Sequence, residues 1–358
     1  MKLFTVIGVR PHFIKAAPVS RAVRERGVEE ILVHTGQHHD PEMSTVFFEE
    51  LGIPAPSHHL GIHGGTHGAM TGAMLEGLER LMISENPDAA MVYGDTNSTM
   101  AGALAAAKLH IPVVHVEAGL RSFNRRMPEE LNRICTDHLA SLLFCSSEEG
   151  VTNLKNEGIT RGVHLAGDVM ADALQQAMAA CRGNTERLER LTTPEERTEG
   201  FALMTAHRAE NTDDPARLAG LFEGLRRWGG RAVFPIHART RNVMAQLGMS
   251  LPPNVRGIAP VGYFDMAALL EGCRMVATDS GGLQKEAYWA NRPCIILRDE
   301  TEWVEIVQSG WGVLAGADTT AITRALHTPP SASLHPQLYG GDGGAAQRIA
   351  LVLQQISP

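Results

Sequence analysis

Acidic residues occur at positions where the surrounding sequence gives them no obvious structural task. The stretch VVHVEAGLRS, residues 113–122, begins like a buried strand, and Glu117 follows its apolar run. Asp95 lies directly after another apolar run, in YGDTNST, and Glu129 lies further along, in MPEELNR. Carboxylates that converge push their pKa values apart, which produces acids and bases at neutral pH. These three acids therefore predict proton-transfer chemistry.

Two of the three acids also have a structural explanation. Asp95 opens a run of five residues that all suit a helix N-cap, although one cap needs only one such residue. Glu129 follows Pro128, which suits the first position of a helix, where the macrodipole favours acids. Glu117 has no such explanation, because nothing about the end of a strand requires an acid. We expect Glu117 to leave the strand end and to meet Asp95 and Glu129.

Cations occur at similar places. Arg10 and Lys15 flank a predicted helix start at Pro11, where an anion would find both a helix N-terminus and two positive charges. His207, in TAHRAEN, follows a strand and is a candidate general acid or phosphate partner. The alternatives are ordinary solvated charges for Arg10 and Lys15 and a loop histidine for His207.

The motif DSGGLQKEA is typical of half of a nucleotide-sugar site. Ser280, Gly281 and Gly282 predict a strand-to-helix turn whose backbone N–H groups can hold phosphate. Glu286, one helical turn further on, can reach a ribose diol.

The elements that position these residues alternate between short apolar runs and longer helical patterns, which predicts repeated βα units and parallel sheets. Five strands are expected in each half. The sequence becomes rich in charged residues between about residues 170 and 200, where we expect the domain boundary. The sequence therefore predicts an α/β fold with two doubly wound domains, whose strand ends face a shared cleft. The expected strands are KLFTVIG, EEILVHT, AAMVYG, PVVHV, LLFCSS, FALMTAH, AVFPIHA, NVRGIAP, RMVATDS and PCIILRD.

Composition excludes several function classes. The net charge of −8 argues against a nucleic-acid partner, which would require a basic surface. No long apolar run or signal peptide is present, so we expect no membrane association and a cytoplasmic location. The five cysteines lack CxxC pairs, which argues against a disulfide framework or a zinc ribbon. The histidines of HHLGIHGGTHG lack metal-ligand spacing, which favours a Gly-rich surface loop and no metal site.

Seven motifs together resemble the non-hydrolysing UDP-N-acetylglucosamine 2-epimerases, and the resemblance covers nearly the whole chain. GVRPHFIKAAPV is similar to the family's opening motif, and the other motifs follow in the family's order. These are YGDTNST, HVEAGLRS, PEELNR, TAHRAEN, DSGGLQKEA and LRDETEW.

The resemblance implies a GT-B type fold, with residues 1–170 and a returning helix at 343–358 in one domain and a UDP-binding domain at 171–342. It implies a homodimer that needs no NAD or other cofactor, and that eliminates UDP across C1–C2 of a UDP-sugar and adds it back. Asp95, Glu117 and Glu129 would be the acid/base carboxylates. The substrate-binding residues would be Arg10, Lys15 and His207 on the diphosphate, Ser280, Gly281 and Gly282 on phosphate, and Glu286 on the ribose.

Departures from the family concern regulation and substrate. His12, Phe13 and the stretch HHDPEM, residues 38–43, differ from the motifs involved in substrate activation of several members, which puts that regulation in doubt. Arg125 and Arg126 stand between two of the acids, where many members have uncharged residues. One of them is a candidate partner for a sugar carboxylate, which would make the substrate a UDP-diacetamido-glucuronate. The alternative is that both are solvated or pair with Glu129 and Glu130.

Three other functions share parts of the pattern. A GT-B glycosyltransferase would share the Gly-rich turn but would not need three acids in the first domain. A hydrolysing epimerase would differ only in admitting water. A non-catalytic nucleotide-sugar sensor would have little reason to keep Asp95, Glu117 and Glu129 together.

Overall fold

The computed structural model describes residues 1–37, 48, 50–183 and 185–355, and HHDPEM lies outside them. The chain divides into two compact units. The first is Met1–Gln175 with Tyr339–Pro358, and the second is Gln176–Leu338. No helix in the described ranges has the length and apolar character needed to cross a membrane.

The first unit is built on a parallel sheet of seven strands. They are β1 (Lys2–Ile7), β2 (Glu29–His34), β3 (His58–His59), β4 (Ala89–Tyr93), β5 (Val113–Ala118), β6 (Leu142–Cys145) and β7 (Val163–Leu165). Their order across the sheet is β3-β2-β1-β4-β5-β6-β7. The central strands are buried on both faces, which explains why they appear in the sequence as continuous apolar runs.

Helices follow most of these strands. They are α1 (Arg10–Glu25), α2 (His67–Glu85), α3 (Asn97–Lys108), α4 (Pro128–Leu139), α5 (Glu148–Asn156), α6 (Val169–Cys181) and, from the chain end, α16 (Ala345–Gln355). On one face of the sheet, Phe4 and Val33 pack against Met74 and Leu78 of α2 and against the alanines of α3. The small side chains of α3 allow it to lie close to the strands that carry the acids.

The second unit contains a parallel sheet of six strands. They are β8 (Ala202–Thr205), β9 (Ala232–Pro235), β10 (Val255–Ile258), β11 (Met275–Thr278), β12 (Cys294–Ile296) and β13 (Gly312–Leu314). Their order is β10-β9-β8-β11-β12-β13. The helices are α7 (Glu186–Leu191), α8 (Pro194–Glu199), α9 (Ala209–Thr212), α10 (Pro215–Trp228), α11 (Ala238–Leu247), α12 (Tyr263–Gly272), α13 (Gly281–Trp289), α14 (Val304–Gln308) and α15 (Thr319–His327).

The predicted fold class, α/β with two doubly wound parallel sheets, is confirmed. Three strands were missing from the prediction, namely β3, β7 and β13. They have only two or three residues and form or adjoin the sheet edges, so they are too short to show a periodicity. The expected loop HHLGIHGGTHG is also partly wrong, because His58–His59 pairs with β2 and His67 begins α2.

In each sheet the strand order reverses between two neighbours, β1 and β4 in the first unit and β8 and β11 in the second. Ligands of doubly wound folds bind beyond the carboxyl ends of the strands at such switch points. The residues that follow these strands are therefore the ones that the fold brings together in each unit.

Candidate active site

Glu117 lies within β5 and not beyond its end, which corrects the prediction. The pairing of β5 with β6 shifts register between Val116 and Ala118, so Glu117 is the extra residue of a β-bulge. Its φ is +72°, a left-handed conformation that costs a residue other than glycine about 1–2 kcal/mol. Bulges and strained residues are both concentrated at active sites. The backbone at Glu117 therefore has the character expected of a functional position.

The Glu117 carboxylate forms an ion pair with Lys15 of α1, and the two side chains are only 11% and 9% exposed. Gly94, at the end of β4, leaves room for this pair. A methyl group on Gly94 would lie 3.3 Å from both Glu117 Oε2 and Lys15 Nζ. The pair brings together two residues that the sequence predicted for one site.

Asp95 is available for chemistry because a different residue caps the helix that follows it. Thr96 is the N-cap of α3, and it forms a reciprocal capping box with Thr99. Asp95 instead forms an ion pair with Arg133 of α4. The Asp95 carbonyl oxygen accepts a hydrogen bond from Asn132 Nδ2 at 2.9 Å. The polar run after β4 thus holds both a helix cap and a separate carboxylate.

Burial raises the pKa of the Asp95 carboxyl above its ordinary value, and the nearby Glu117 charge acts in the same direction. The Arg133 guanidinium opposes both effects, since its charge and its hydrogen bond favour the ionised form. Asp95 therefore holds its proton more strongly than an exposed aspartate does.

Glu130, and not Glu129, is the buried acid at the start of α4. It is 1% exposed and lies 3.3 Å from Arg133 Nη1. Its two oxygens accept hydrogen bonds at 2.9 Å from the backbone amides of Ser122 and Phe123. Glu129 is exposed in the first turn of the same helix. Glu130 thus fixes the loop that follows the β-bulge.

That loop carries the two arginines considered for substrate specificity. Arg125 and Arg126 are both exposed, and neither forms an ion pair with any residue in the described ranges. The ion pair of Glu130 is with Arg133, so of the two forms of the expected alternative, solvated or paired arginines, the structure has the solvated one.

Arg10 is the first residue of α1 and is half-buried. The preceding N-cap residue, Val9, provides no side-chain hydrogen bond to the helix, and the proline predicted to open the helix follows Arg10. The start of this helix therefore combines an uncapped N-terminus with the cation that the sequence placed there.

His207 and Asp279 meet at the switch point of the second unit. The Asp279 side chain is fully buried, and its Oδ2 accepts hydrogen bonds at 2.9 Å from the backbone amides of His207 and Arg208. Its Oδ1 lies 3.4 Å from His207 Nδ1. Asp279 therefore fixes both the backbone and the orientation of His207, whose ring is 37% exposed.

The predicted strand-to-helix turn lies beside this pair. Ser280 is the N-cap of α13 and accepts a hydrogen bond from the amide of Leu283, and Gly281 and Gly282 form the first turn. A methyl group on Gly281 would lie 3.3 Å from Trp303 Nε1 and 3.6 Å from Arg208 Nη2. The surface of the turn thus carries an indole N–H and a guanidinium beside the glycine.

Glu286 is buried on α13, where it accepts a hydrogen bond from the Tyr263 hydroxyl at 3.0 Å. Lys285, beside it, is buried with its Nζ 4.0 Å from the centre of the Trp303 ring, a cation–π contact. This contact holds the indole of Trp303 next to the Gly-rich turn.

No group of three or more metal-ligating side chains occurs among the described residues. The side chains and backbone groups described at the two switch points are carboxylates, cations and amides.

A family model described as UDP-N-acetylglucosamine 2-epimerase matches residues 21–354. The chain belongs to this family of isomerases. Its members include a Pseudomonas aeruginosa UDP-2,3-diacetamido-2,3-dideoxy-D-glucuronate 2-epimerase, 50% identical over 99% of this chain and 100% of that protein.

A second relative is the UDP-N-acetylglucosamine 2-epimerase of Methanocaldococcus jannaschii, 38% identical over 99% of each chain. The crystal structure of the Methanocaldococcus jannaschii enzyme in complex with UDP-GlcNAc and UDP matches this structure with a TM-score of 0.90 and 37% identity. It covers 99% of this chain and 100% of that one. The resemblance stated from the sequence motifs is confirmed at the level of the family.

In this epimerase-family chain, the structure pairs two predicted residues with each other, whereas Asp95 pairs with Arg133 and His207 with Asp279. Lys15 meets Glu117, and Asp95 lies on the adjacent strand end. The motif analysis missed Arg133 and Asp279. Arg133 is the last residue of the motif PEELNR, and Asp279 is the first residue of the motif DSGGLQKEA, so both lie inside motifs that the sequence analysis used.

Proposed function

We propose that this chain is a non-hydrolysing 2-epimerase of a UDP-2-acetamido sugar, with UDP-N-acetylglucosamine and its manno epimer as the reacting pair. The reaction eliminates UDP across C1–C2 to give a glycal, and then adds UDP back while a proton returns to the opposite face of C2. No oxidation or reduction occurs, so the proposal requires no redox cofactor.

The roles of the carboxylates follow from the chemistry at C2. No carbonyl acidifies the C2 proton, so cleavage of the C1–O bond must lead, and cations on the departing diphosphate matter as much as the base. We assign the diphosphate to Arg10, Lys15 and His207. We assign proton transfer at C2 to Asp95, Glu117 and Glu129.

The second unit would hold the nucleotide. The amides of Ser280, Gly281 and Gly282 suit phosphate at the N-terminus of α13, and the Glu286 carboxylate suits the ribose hydroxyls. Elimination separates UDP from the glycal, and the return step requires that UDP is still bound. Tight binding of the diphosphate is therefore part of the mechanism.

The observation that carries this proposal is the conformation of Glu117. A carboxylate that lies on a β-bulge at positive φ, paired with a buried lysine, is a strained arrangement of the kind that is concentrated at functional sites. A glycosyltransferase or a sugar sensor would have no use for this carboxylate and Asp95 on adjacent strand ends.

A second substrate, UDP-2,3-diacetamido-2,3-dideoxyglucuronate, is supported by two observations. The Pseudomonas aeruginosa relative named for this substrate is 50% identical to the chain over its full length. Arg125 and Arg126 are exposed on the loop after the β-bulge without an ion pair in the described ranges, so either can meet a sugar carboxylate.

Proton NMR of the purified protein in D₂O tests the reaction. With UDP-N-acetylglucosamine and no added NAD or acceptor, we expect deuterium at C2 of the intact UDP-sugar and growth of the manno epimer. Free N-acetylmannosamine would instead indicate hydrolysis. If neither UDP-N-acetylglucosamine nor the diacetamido-glucuronate reacts, the proposed function is wrong.

Variants identify the groups involved. We expect Glu117→Gln and Asp95→Asn to lower kcat by about 10²–10⁴-fold, the usual contribution of an acid or base. Glu76→Gln removes a carboxylate that is 71% exposed on α2 and should leave kcat unchanged.

The choice of substrate has its own comparison. If a sugar carboxylate binds this loop, Arg125→Ala or Arg126→Ala raises KM for the diacetamido-glucuronate at least tenfold. Arg80→Ala, on an arginine that is 73% exposed on α2, is the matched control. Efficient turnover of UDP-N-acetylglucosamine, together with unchanged kinetics of both arginine variants, would exclude the diacetamido-glucuronate as the substrate.

The homodimer and the cytoplasmic location belong to the same proposal, and both rest on the family resemblance. Sedimentation of the purified chain with and without UDP would measure the first, and fractionation of cells would measure the second.

A further inference from the structure

A fully buried histidine lies on β5, the strand that carries Glu117, and contacts the end of β4 that leads to Asp95. His115 belongs to β5, and its exposed fraction is 0%. One ring nitrogen, Nε2, lies 2.7 Å from the carbonyl oxygen of Gly94, and the other, Nδ1, lies 2.6 Å from Asp137 Oδ1. The ring thus connects the end of β4 to α4 from the middle of β5.

These distances decide where the protons of the ring are. The Gly94 carbonyl can only accept, so Nε2 must carry a hydrogen. A ring turned by 180° would place carbon atoms against the same two oxygens, and carbon–oxygen contacts of this kind need about 3.3 Å or more. The orientation of the ring is therefore fixed by its contacts.

The remaining question is whether Nδ1 or Asp137 carries the second hydrogen. Asp137 Oδ2 accepts hydrogen bonds from Arg121 Nη1 at 2.7 Å and from the Gly119 amide at 3.1 Å. Burial raises the pKa of the Asp137 carboxyl, but the charges and hydrogen bonds of His115 and Arg121 outweigh it, so the pKa lies below its ordinary value. The Arg121 guanidinium and the Gly119 amide favour the ionised form of Asp137 whatever the charge of His115, so Asp137 is a carboxylate and Nδ1 must be the donor.

The charged groups next to the ring form one series that runs from the buried Asp137 and Arg121 to the partly exposed Glu157. Arg121 contacts Asp137 and also binds Glu157 through two hydrogen bonds, at 2.6 and 2.8 Å. Cys145 of β6 lies close enough for the Asp137 charge to raise the pKa of its thiol, together with burial. The Arg121 guanidinium thus lies between two carboxylates, Asp137 and Glu157.

We propose that His115 donates a hydrogen bond from each ring nitrogen and thereby positions both carboxylates, through the Gly94 carbonyl on one side and through Asp137 and Gly119 on the other. Gly94 immediately precedes Asp95. Gly119 follows Glu117 by two residues, so one ring anchors the backbone on both sides of the pair. His115 does not touch the substrate in this arrangement and is a positioning residue, a role that rests on the proposed function.

Nitrogen-15 NMR of the labelled full-length protein tests the charge directly. At about pH 7.5, where a free imidazole is largely neutral, both ring nitrogens of His115 should show the nearly equal shifts of a protonated imidazolium. The signals are assigned by their loss in His115→Gln. In Asp137→Asn the ring should become neutral, with its hydrogen on Nε2. A neutral ring in the unaltered protein would overturn the proposal.

Kinetics test the positioning. For Asp137→Asn and His115→Gln, we expect kcat and deuterium incorporation at C2 to fall at least tenfold while KM changes less than threefold. Asp137→Glu, which keeps the charge, should recover part of kcat. His164→Asn, on a half-buried histidine of β7, is the matched control. If the variants lose only thermal stability and kcat per folded molecule is unchanged, His115 and Asp137 have a structural role alone, and the positioning role is overturned.

The two proposals fail in different ways. If the unaltered protein epimerises neither UDP-sugar, the proposed function is wrong and the positioning role falls with it. The NMR result does not depend on turnover, so a neutral His115 in an active epimerase overturns this inference alone.

Discussion

Arg133 contacts two acids of different kinds, and its charge affects how readily one of them releases a proton. It pairs with Asp95, whose carboxyl is partly exposed, and with Glu130, which is buried. Burial raises the pKa of Asp95, and Arg133 supplies the main opposing charge. A base with a raised pKa loses its function as the pH falls through that value, because the protonated form cannot accept a proton.

Replacing Arg133 by glutamine should therefore raise the pKa of Asp95 further. We expect the acid side of the profile of kcat/KM against pH to move to higher pH by about one unit, the usual effect of losing an adjacent charge. Arg133→Lys, which keeps the charge, should move it less. The measurement is kcat/KM for epimerisation between about pH 5 and 9.

Arg80→Gln removes an exposed arginine from the same unit and should leave the profile in place. A shift toward lower pH in Arg133→Gln, or an equal shift in Arg80→Gln, would contradict the role given to Arg133. Unchanged kcat/KM at every pH would contradict the role of Asp95 as well.

At the scale of the elements, both acids depend on how two neighbouring strands end. The strand β4 ends at Tyr93, and the pairing Tyr93↔Val116 leaves Asp95 and Glu117 just beyond the last matched residues. The alternation of apolar runs and helices predicted these strands and the place of Asp95 after β4, but Glu117 lies within β5 and not after it.

The sequence did not predict the β-bulge, because a bulge changes hydrogen bonding between strands without changing the apolar pattern of either. The sequence also does not show which of Glu129 and Glu130 is buried. Both acids suit the first turn of a helix, and only the three-dimensional path of residues 122–126 shows that Glu130 is the buried one. Arg133 and Asp279 were missed for a similar reason, since their importance lies in contacts with elements distant in sequence.

The turn after the bulge depends on Gly119. Its φ is +81°, and a methyl group there would lie 2.7 Å from the carbonyl carbon of Gly150 at the start of α5. Gly119→Ala should therefore incur both conformational strain and a backbone clash. We expect a loss of free energy of unfolding of about 2–5 kcal/mol, from about 1–2 for the left-handed conformation and about 1–3 for overpacking. Chemical denaturation measures it.

Gly158→Ala separates the two contributions, because Gly158 has nearly the same φ, +82°, and nothing within 4 Å of the added methyl. It should cost only about 1–2 kcal/mol, the conformational strain alone. If both variants lose the same stability, close packing against Gly150 has no part in shaping the turn.

At the scale of the whole molecule, the chain leaves the first unit at Gln175 and returns to it at Tyr339. The last helix, α16, is held there by Asp172, which accepts hydrogen bonds from the amides of Ala345 and Ala346 at 3.2 and 2.7 Å. Arg348 donates to the carbonyl oxygen of Ala166 at 2.7 Å. The stability of the unit that carries the acids therefore depends on residues at the opposite end of the sequence.

Two leucines of α16 test this dependence. Leu353 is 0% exposed and Leu351 is 49% exposed. Leu353→Ala should cost the first unit about 2–5 kcal/mol, the usual loss for a buried leucine, whereas Leu351→Ala should cost less than about 0.5 kcal/mol. Amide hydrogen exchange in β1, β4 and β5 measures the loss.

The four tryptophans, Trp228, Trp289, Trp303 and Trp311, all lie in the second unit, so their fluorescence reports on that unit alone. We expect its unfolding midpoint to move less than the first unit's. Equal losses from the two leucines, or a larger shift in the tryptophan signal, would show that α16 does not stabilise the first unit by packing.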